Sequence, residues 1–294
     1  MFEGSYVALV TPFAKNGKVD FEKLKGLVEF HIKNETNGIV PCGTTGESAT
    51  LNYEEHEKVI EFVVKQSAGR IKVVAGTGSN STAETIEMTA FAKKVGADGV
   101  LLVSPYYNKP TQKGLYLHFK KVADEIDIPI ILYNIQSRTA VNIEPETIAK
   151  LHAACKNIVA IKEASGSLEQ MAKINILCPE MDMFSGDDAL TLPLMSIGGV
   201  GVISVVANIV PRDVSEMVRA YLNGDVEKAK RLHYKLFNLI KAMFIETNPI
   251  PVKTAMGLLG LCSDELRLPM CAMDEKNKEK LIKEMKNYGL EVKG

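Results

Sequence analysis

The chain has 294 residues, 46% of them hydrophobic and 24% charged, with a formal net charge of −1. That balance describes a globular chain able to bury a core without disulfide or metal staples, and it offers no basic excess for nucleic acid. The apolar runs are broken by Lys, Glu or Gly well short of the roughly 20 residues of a membrane helix, and the opening Met1-Phe2-Glu3-Gly4-Ser5 lacks the basic and apolar regions of a signal peptide; a cytoplasmic location is therefore expected.

Short runs rich in Val and Ile alternate with amphipathic stretches along most of the chain, the pattern of successive βαβ units and a parallel sheet. In chain order the predicted strands are 6–11, 38–42, 72–76, 99–104, 129–133, 159–162, 183–185 and 201–206. Between the first two, Leu24, Leu27, Val28 and Ile32 recur at helical spacing, and after the second Val59, Ile60, Val63 and Val64 do the same, with Lys and Glu on the other face. Asp20 before Phe21, and Ser81 ahead of Glu84, read as helix N-caps. Eight strand–helix units match a closed (β/α)8 TIM barrel over residues 1–224. No GxGxxG follows the first strand, and Gly76-Thr77-Gly78 lacks the further glycine and acidic partner of a dinucleotide site, which argues against an open doubly wound sheet. After Gly224 the alternation stops. Helices predicted over 226–246, 251–259 and 275–288 make residues 225–294 a three-helix appendage whose apolar faces need the barrel as partner.

Five cysteines, Cys42, Cys155, Cys178, Cys262 and Cys271, are irregularly spaced and fit neither a disulfide framework nor a CxxC metal site. The histidines, His31, His56, His118, His152 and His233, all fall in helical segments without an HExxH motif. A zinc or His-based centre is therefore not expected, and an imine-forming lysine of the kind considered next would need neither a metal nor an organic cofactor.

In a TIM barrel the reacting groups belong at the C-terminal strand ends and the loops that follow. There the chain offers Gly43-Thr44-Thr45-Gly46-Glu47-Ser48, then Ser104-Pro105-Tyr106-Tyr107-Asn108, then Tyr133-Asn134 with Ser137-Arg138-Thr139. The last three strands end in Lys162-Glu163, Gly186-Asp187-Asp188 and Ile203-Ser204. Lys162 is the unusual member. An ammonium in an apolar strand carries a large desolvation penalty unless paired or deprotonated, and a low-dielectric site lowers its pKa, the condition for an amine that forms an imine near neutral pH. The plainer reading pairs it with Glu163 or Glu47, or lets its head reach the rim; strand alternation sends Glu163 to the other face.

Gly-Thr-Thr-Gly reads either as a backbone cradle for a small carboxylate or as a βα turn whose glycines need φ > 0. Tyr133 reads as a proton relay or as a rim tyrosine with a wet hydroxyl. Arg138 is either a bidentate clamp for a second carboxylate or a solvated loop arginine. The adjacent Tyr106 and Tyr107 suit a pocket or an interface. Asp187-Asp188 has a ready role as the cap of the next helix, and Asn248-Pro249-Ile250-Pro251 is a rigid break that starts a helix.

Taken together, in this order, Gly43-Thr44-Thr45-Gly46-Glu47-Ser48, Pro105-Tyr106-Tyr107-Asn108-Lys109-Pro110, Tyr133-Asn134, Ser137-Arg138-Thr139, Ile161-Lys162-Glu163-Ala164-Ser165-Gly166, Ser185-Gly186-Asp187-Asp188 and Asn248-Pro249-Ile250-Pro251-Val252-Lys253 closely resemble the dihydrodipicolinate synthase family of pyruvate-dependent class I aldolases. The likeness covers nearly the whole chain. It implies a lyase-type Schiff-base condensation of pyruvate with L-aspartate 4-semialdehyde to 4-hydroxy-tetrahydrodipicolinate, the first committed step of the diaminopimelate route to lysine. By the resemblance Lys162 forms the imine, while Thr44, Tyr133 and Tyr107, the last from a neighbouring subunit, relay protons. Thr45 and its backbone hold the pyruvate carboxylate, Ile203 lines that end, Gly186 is a further substrate-binding position, and Arg138 receives the semialdehyde carboxylate.

The resemblance further implies a feedback site for L-lysine built from Ser48, Ala49, Tyr53, His56, Asn80, Glu84 and Tyr106, with Tyr53 where the family commonly has histidine. It implies a homotetramer assembled as a dimer of dimers. Gln136 stands where proline is usual and Ala140 where glycine is common, so the loop carrying Arg138 is expected to be looser. Related lyases for sialic acid or keto sugar acids share the lysine and tyrosine; Arg138 favours the synthase branch. A non-catalytic keto-acid-binding regulator on the same fold is the remaining alternative.

Overall fold

The computed structural model describes residues 2–292, so the last two residues of the expected appendage lie outside the described residues. Eight parallel strands, β1 (Gly4–Ala8), β2 (Gly38–Val40), β3 (Lys72–Gly76), β4 (Gly99–Val103), β5 (Ile130–Asn134), β6 (Ile158–Glu163), β7 (Asp182–Ser185) and β8 (Gly201–Ser204), close into one barrel in chain order. Every predicted strand is present. β1, β2 and β8 stop earlier than their apolar runs; at β2 Pro41 and then Cys42, at φ 55°, turn the chain out of the ladder.

Period-two alternation decides what each strand buries. In β6 Ala160 and Lys162 point into the barrel while Ile161 joins the core under the surrounding helices. The interior is filled by Tyr6, Ala8, Val40, Val74, Leu101, Ile131, Tyr133, Ala160, Phe184 and Ile203. Its N-terminal end is plugged by aromatic rings: Tyr6 meets Phe2 and Phe184 edge-on, with centroids 6.2 and 5.3 Å apart. A Cβ on Gly38 would come within 1.9 Å of the Tyr6 ring, so glycine is required there for the plug to fit.

The helices follow their sequence signals. Asp20 caps Phe21–Lys33 by accepting from the Lys23 N–H, Ser81 caps Thr82–Val95 through Glu84, and Asn52 with Glu55 forms a full capping box at Tyr53–Ser67. Beyond the barrel, Val226–Ala242 packs on both Pro211–Leu222 and Glu275–Tyr288, and Ile250–Leu258 packs on the turn after β8. The first of these ends at Ala242 rather than 246, because the chain turns to carry Asn248 back to the barrel mouth, where it bonds Thr45. No helix among the described residues is long and apolar enough to cross a membrane.

Candidate active site

β5 and β6 run in register, so Tyr133 pairs with Lys162 and, one step further, Asn134 with Glu163. The first pair faces inward and the second outward. Lys162 is 5% exposed and its Nζ lies 4.2 Å from the centre of the Tyr133 ring. Burial pushes its amine down to about 8, Asp188 pulling the other way and Arg138 adding to the fall. Glu163 does not pair with it. Its carboxylate accepts from Asn134 Nδ2 at 3.0 Å, Ser165 N at 2.7 Å and Gln170 Nε2 at 3.2 Å, on the helix side of the strand. Glu47 is engaged elsewhere too, by Lys253 at 2.6 Å. Both counter-ions considered from sequence are thus withdrawn from Lys162.

Tyr133 is buried, and burial pushes its phenol up to about 12, while Arg138 and a hydrogen bond from the Thr44 hydroxyl work against the rise. Lys162, Tyr133, Thr44, Thr45, Arg138 and Gly186 line one small cavity of about 50 Å³, together with Val205, Phe244 and Asn248. At Gly186 a Cβ would lie 2.6 Å from that of Ala164 and 3.1 Å from Lys162 Cε, so the absent side chain is what leaves room for the lysine stem. Ile203 is buried in the barrel interior with Tyr133, and it is Val205 that reaches the cavity wall.

The Gly43–Gly46 turn corrects one sequence argument. Neither glycine has positive φ; the left-handed residues are Cys42 and Glu47 on its flanks. Gly46 is needed for close approach instead, since a Cβ would meet Leu9 O at 3.0 Å and Cys42 N at 3.1 Å, and its carbonyl accepts from Thr11 Oγ1 at 2.6 Å. Ala140, where glycine was noted as common, does adopt φ 58° and ends the short helix Gln136–Thr139. That loop is tied down despite Gln136: Thr139 Oγ1 bonds Ile135 O and Val141 O, and Arg138 Nη2 donates to Asn248 O at 3.1 Å.

Asn248 is the site residue the sequence reading missed. Its Nδ2 donates to Thr45 Oγ1 at 3.0 Å while its carbonyl accepts from Arg138, so one residue ties Thr45 to Arg138 across the barrel mouth. Asp187 caps the turn after β7 as expected, accepting from Ala189 N at 2.8 Å. Asp188 is buried and accepts from Val205 N and Val206 N, fixing the end of β8 opposite Lys162. Tyr107 is 91% exposed, at φ 74°, and lies away from the cavity of its own chain.

A wider cavity of about 480 Å³ shares Thr44, Arg138 and Asn248 with the first and is lined by Ser48, Ala49, Tyr53, His56, Glu84 and Tyr106. Glu84 accepts from Ser79 Oγ at 2.6 Å and hydrogen-bonds Tyr53, whose hydroxyl is pushed up by burial and by that carboxylate. His56 Nε2 donates to Gly76 O at 2.7 Å, and Asn80 stands behind the wall, donating to Tyr106 O at 3.1 Å.

A buried lysine without a dedicated counter-ion among the described residues, set beside a phenol and a Gly-Thr-Thr-Gly turn at the C-terminal mouth of a (β/α)8 barrel, is the arrangement of the imine-forming class of barrel lyases. The model of the dihydrodipicolinate synthetase family matches residues 1–288. A 4-hydroxy-tetrahydrodipicolinate synthase from Endomicrobium trichonymphae is 62% identical over 290 residues, 99% of each chain. The crystal structure of dihydrodipicolinate synthase from Aquifex aeolicus superimposes with a TM-score of 0.98 at 56% identity over 100% of both chains. The enzyme from Cyanidioschyzon merolae, solved with lysine bound, gives 0.96 at 43% identity over 99% of both. The chain belongs to the dihydrodipicolinate synthetase family and is a lyase-type enzyme.

Proposed function

We propose that the chain condenses pyruvate with L-aspartate 4-semialdehyde as a 4-hydroxy-tetrahydrodipicolinate synthase, with Lys162 as the nucleophile. The observation that carries this reading is the unpaired amine of Lys162, lowered to about 8 and set against the Tyr133 ring. At neutral pH a useful fraction of such an amine is unprotonated, which an ordinary lysine does not offer. It attacks the pyruvate ketone, and water leaves as the imine forms. The protonated imine is an electron sink, so the methyl group loses a proton and the resulting enamine forms a carbon–carbon bond with the aldehyde. The substrate's own amine then attacks the imine carbon, closes the ring and releases Lys162.

Thr44 and Tyr133, already hydrogen-bonded, serve as the proton relay. Tyr107 completes it from a neighbouring subunit, in keeping with its exposure and its absence from the lining of either cavity of its own chain. Thr45 with its backbone takes the pyruvate carboxylate, Gly186 and Ile203 shape that end, and Arg138 takes the carboxylate of the semialdehyde. The assembly is a homotetramer, a dimer of dimers. Free L-lysine is the effector of the wider cavity, with Glu84 on its amine and Tyr106 beside its carboxylate. Four buried and one exposed free cysteine suit a reducing compartment, and the reading assigns the enzyme to the cytoplasm.

Borohydride reduction in the presence of pyruvate, followed by mass spectrometry, is expected to leave a reduced pyruvate adduct on the peptide carrying Lys162. An unmodified Lys162 would reject the mechanism. Activity with pyruvate and semialdehyde, against pyruvate release from keto sugar acids, separates the synthase from its sugar-acid relatives. Calorimetric titration with millimolar L-lysine tests the effector, and no binding would remove it.

A further inference from the structure

Glu47 and Lys253 form an ion pair closed off from water, with side-chain exposures of 2% and 0% and a separation of 2.6 Å. The chemistry above uses neither. The second carboxylate oxygen of Glu47 accepts from Arg267 N at 3.1 Å, so both oxygens are held by the C-terminal part of the chain. Lys253 Nζ also lies 4.2 Å from the centre of the Phe13 ring, and the Arg267 guanidinium is 4.3 Å from the same ring.

A buried ion pair of this kind is a weak source of stability, because desolvation of both charges offsets most of their attraction. It is a strong source of geometry. Glu47 sits at φ 53°, a left-handed backbone that a residue with a Cβ adopts only where its surroundings hold it. Its N–H donates to Thr44 O at 3.1 Å, and Ser48 N donates to Gly43 O at 3.3 Å, so the backbone of Glu47 closes the turn that presents Thr44 and Thr45. Lys253 lies on Ile250–Leu258, just after Asn248, whose amide grips Thr45 Oγ1. The appendage therefore holds the cradle at two points, once on the side chain of Thr45 and once on the residue that closes the turn.

We infer that Glu47 and Lys253 are positioning residues for pyruvate: their buried pair fixes the left-handed closure of the Gly43–Gly46 turn and so sets the two threonines against Lys162. The inference rests on the reading of that turn as the pyruvate cradle. Neither residue lines the cavity around Lys162, although Glu47 borders the wider one, so their removal loosens the grip on pyruvate while leaving the lysine able to react once pyruvate is bound.

The test is the neutral double variant E47Q/K253M, which keeps both volumes and an acceptor for Arg267 N without stranding a buried charge. It is expected to fold, to raise KM for pyruvate about tenfold, to change KM for the semialdehyde far less, and to give full borohydride trapping on Lys162 at saturating pyruvate. A folded double variant whose pyruvate KM and kcat stay within about twofold of wild type overturns the inference. Should the double variant fail to fold, E47D takes its place: it keeps the charge but draws the carboxylate back by one methylene, and an unchanged pyruvate KM there is equally fatal. Trapping of the wild-type enzyme separates the two readings. Failure at wild-type Lys162 rejects the cradle itself, whereas trapped wild type with unaffected variants rejects the clamp alone.

Discussion

Lys162 and Lys253 are the two lysines buried among the described residues, and the fold treats their charges in opposite ways. Burial lowers both amines. Around Lys253 a carboxylate at 2.6 Å and an aromatic face resist that fall, and the ammonium becomes a structural anchor between barrel and appendage. Around Lys162 no carboxylate of the described residues comes within ion-pair distance, Glu163 being turned to the helix side and Asp188 committed to the backbone of Val205 and Val206. Burial alone therefore does not mark a nucleophile. Burial with every nearby acid assigned to another donor is what supports the proposed role of Lys162.

The contrast can be broken most severely at Lys162 itself. K162A is expected to lose at least about 10⁴-fold in kcat, because no other group supplies the imine; steady-state rates with both substrates measure it. K253M alone is expected to cost about 3–5 kcal/mol of stability in a urea titration, since it strands Glu47 without its cation. K162M is expected to shift the same titration the other way. Lys162 has a folded pKa of about 8 against an ordinary 10.5, so the unfolded chain binds more protons between those values and its charge opposes folding throughout the region below them. A destabilised K162M would erase the distinction between the two lysines. Y133F, which keeps the ring and removes the phenol, is expected to lower kcat about 10²-fold with little loss of fold. The mildest test is pH. Imine formation with pyruvate should fall about tenfold for each unit below pH 8, where Lys162 is protonated, and level off above it; stopped-flow trapping between pH 6 and 9 reads the profile.

The barrel was legible because its signals are local. Each Val- and Ile-rich run carries its own β pattern, and the Asp20 and Ser81 caps act within three residues. Lys162 and Tyr133 were legible as candidates for a related reason: a charge or a polar group at the end of an apolar strand stands out against its neighbours, whereas Thr44 drew its role only from the resemblance. Asn248 and Lys253 were not. Their partners Thr45 and Glu47 lie 203 and 206 residues away, and neither side chain leaves a local trace. The Asn-Pro-Ile-Pro stretch had an adequate explanation as a helix start, which hid its second use. The glycines of the Gly43–Gly46 turn were read for positive φ, whereas close packing against Leu9 and Thr11 is what excludes a side chain at Gly46.

The aromatic plug at the N-terminal end of the barrel has a kinetic meaning. With Tyr6 seated in the space that Gly38 leaves open, and Phe2 and Phe184 against its edges, Lys162 sits near the bottom of a blind tube. Traffic is then one-way in and the same way out. On the proposed chemistry, the keto acid that bonds Lys162 arrives before its partner, which would otherwise stand in the doorway, and the finished ring leaves through the same opening. The order of events at this site is set by architecture as much as by affinity.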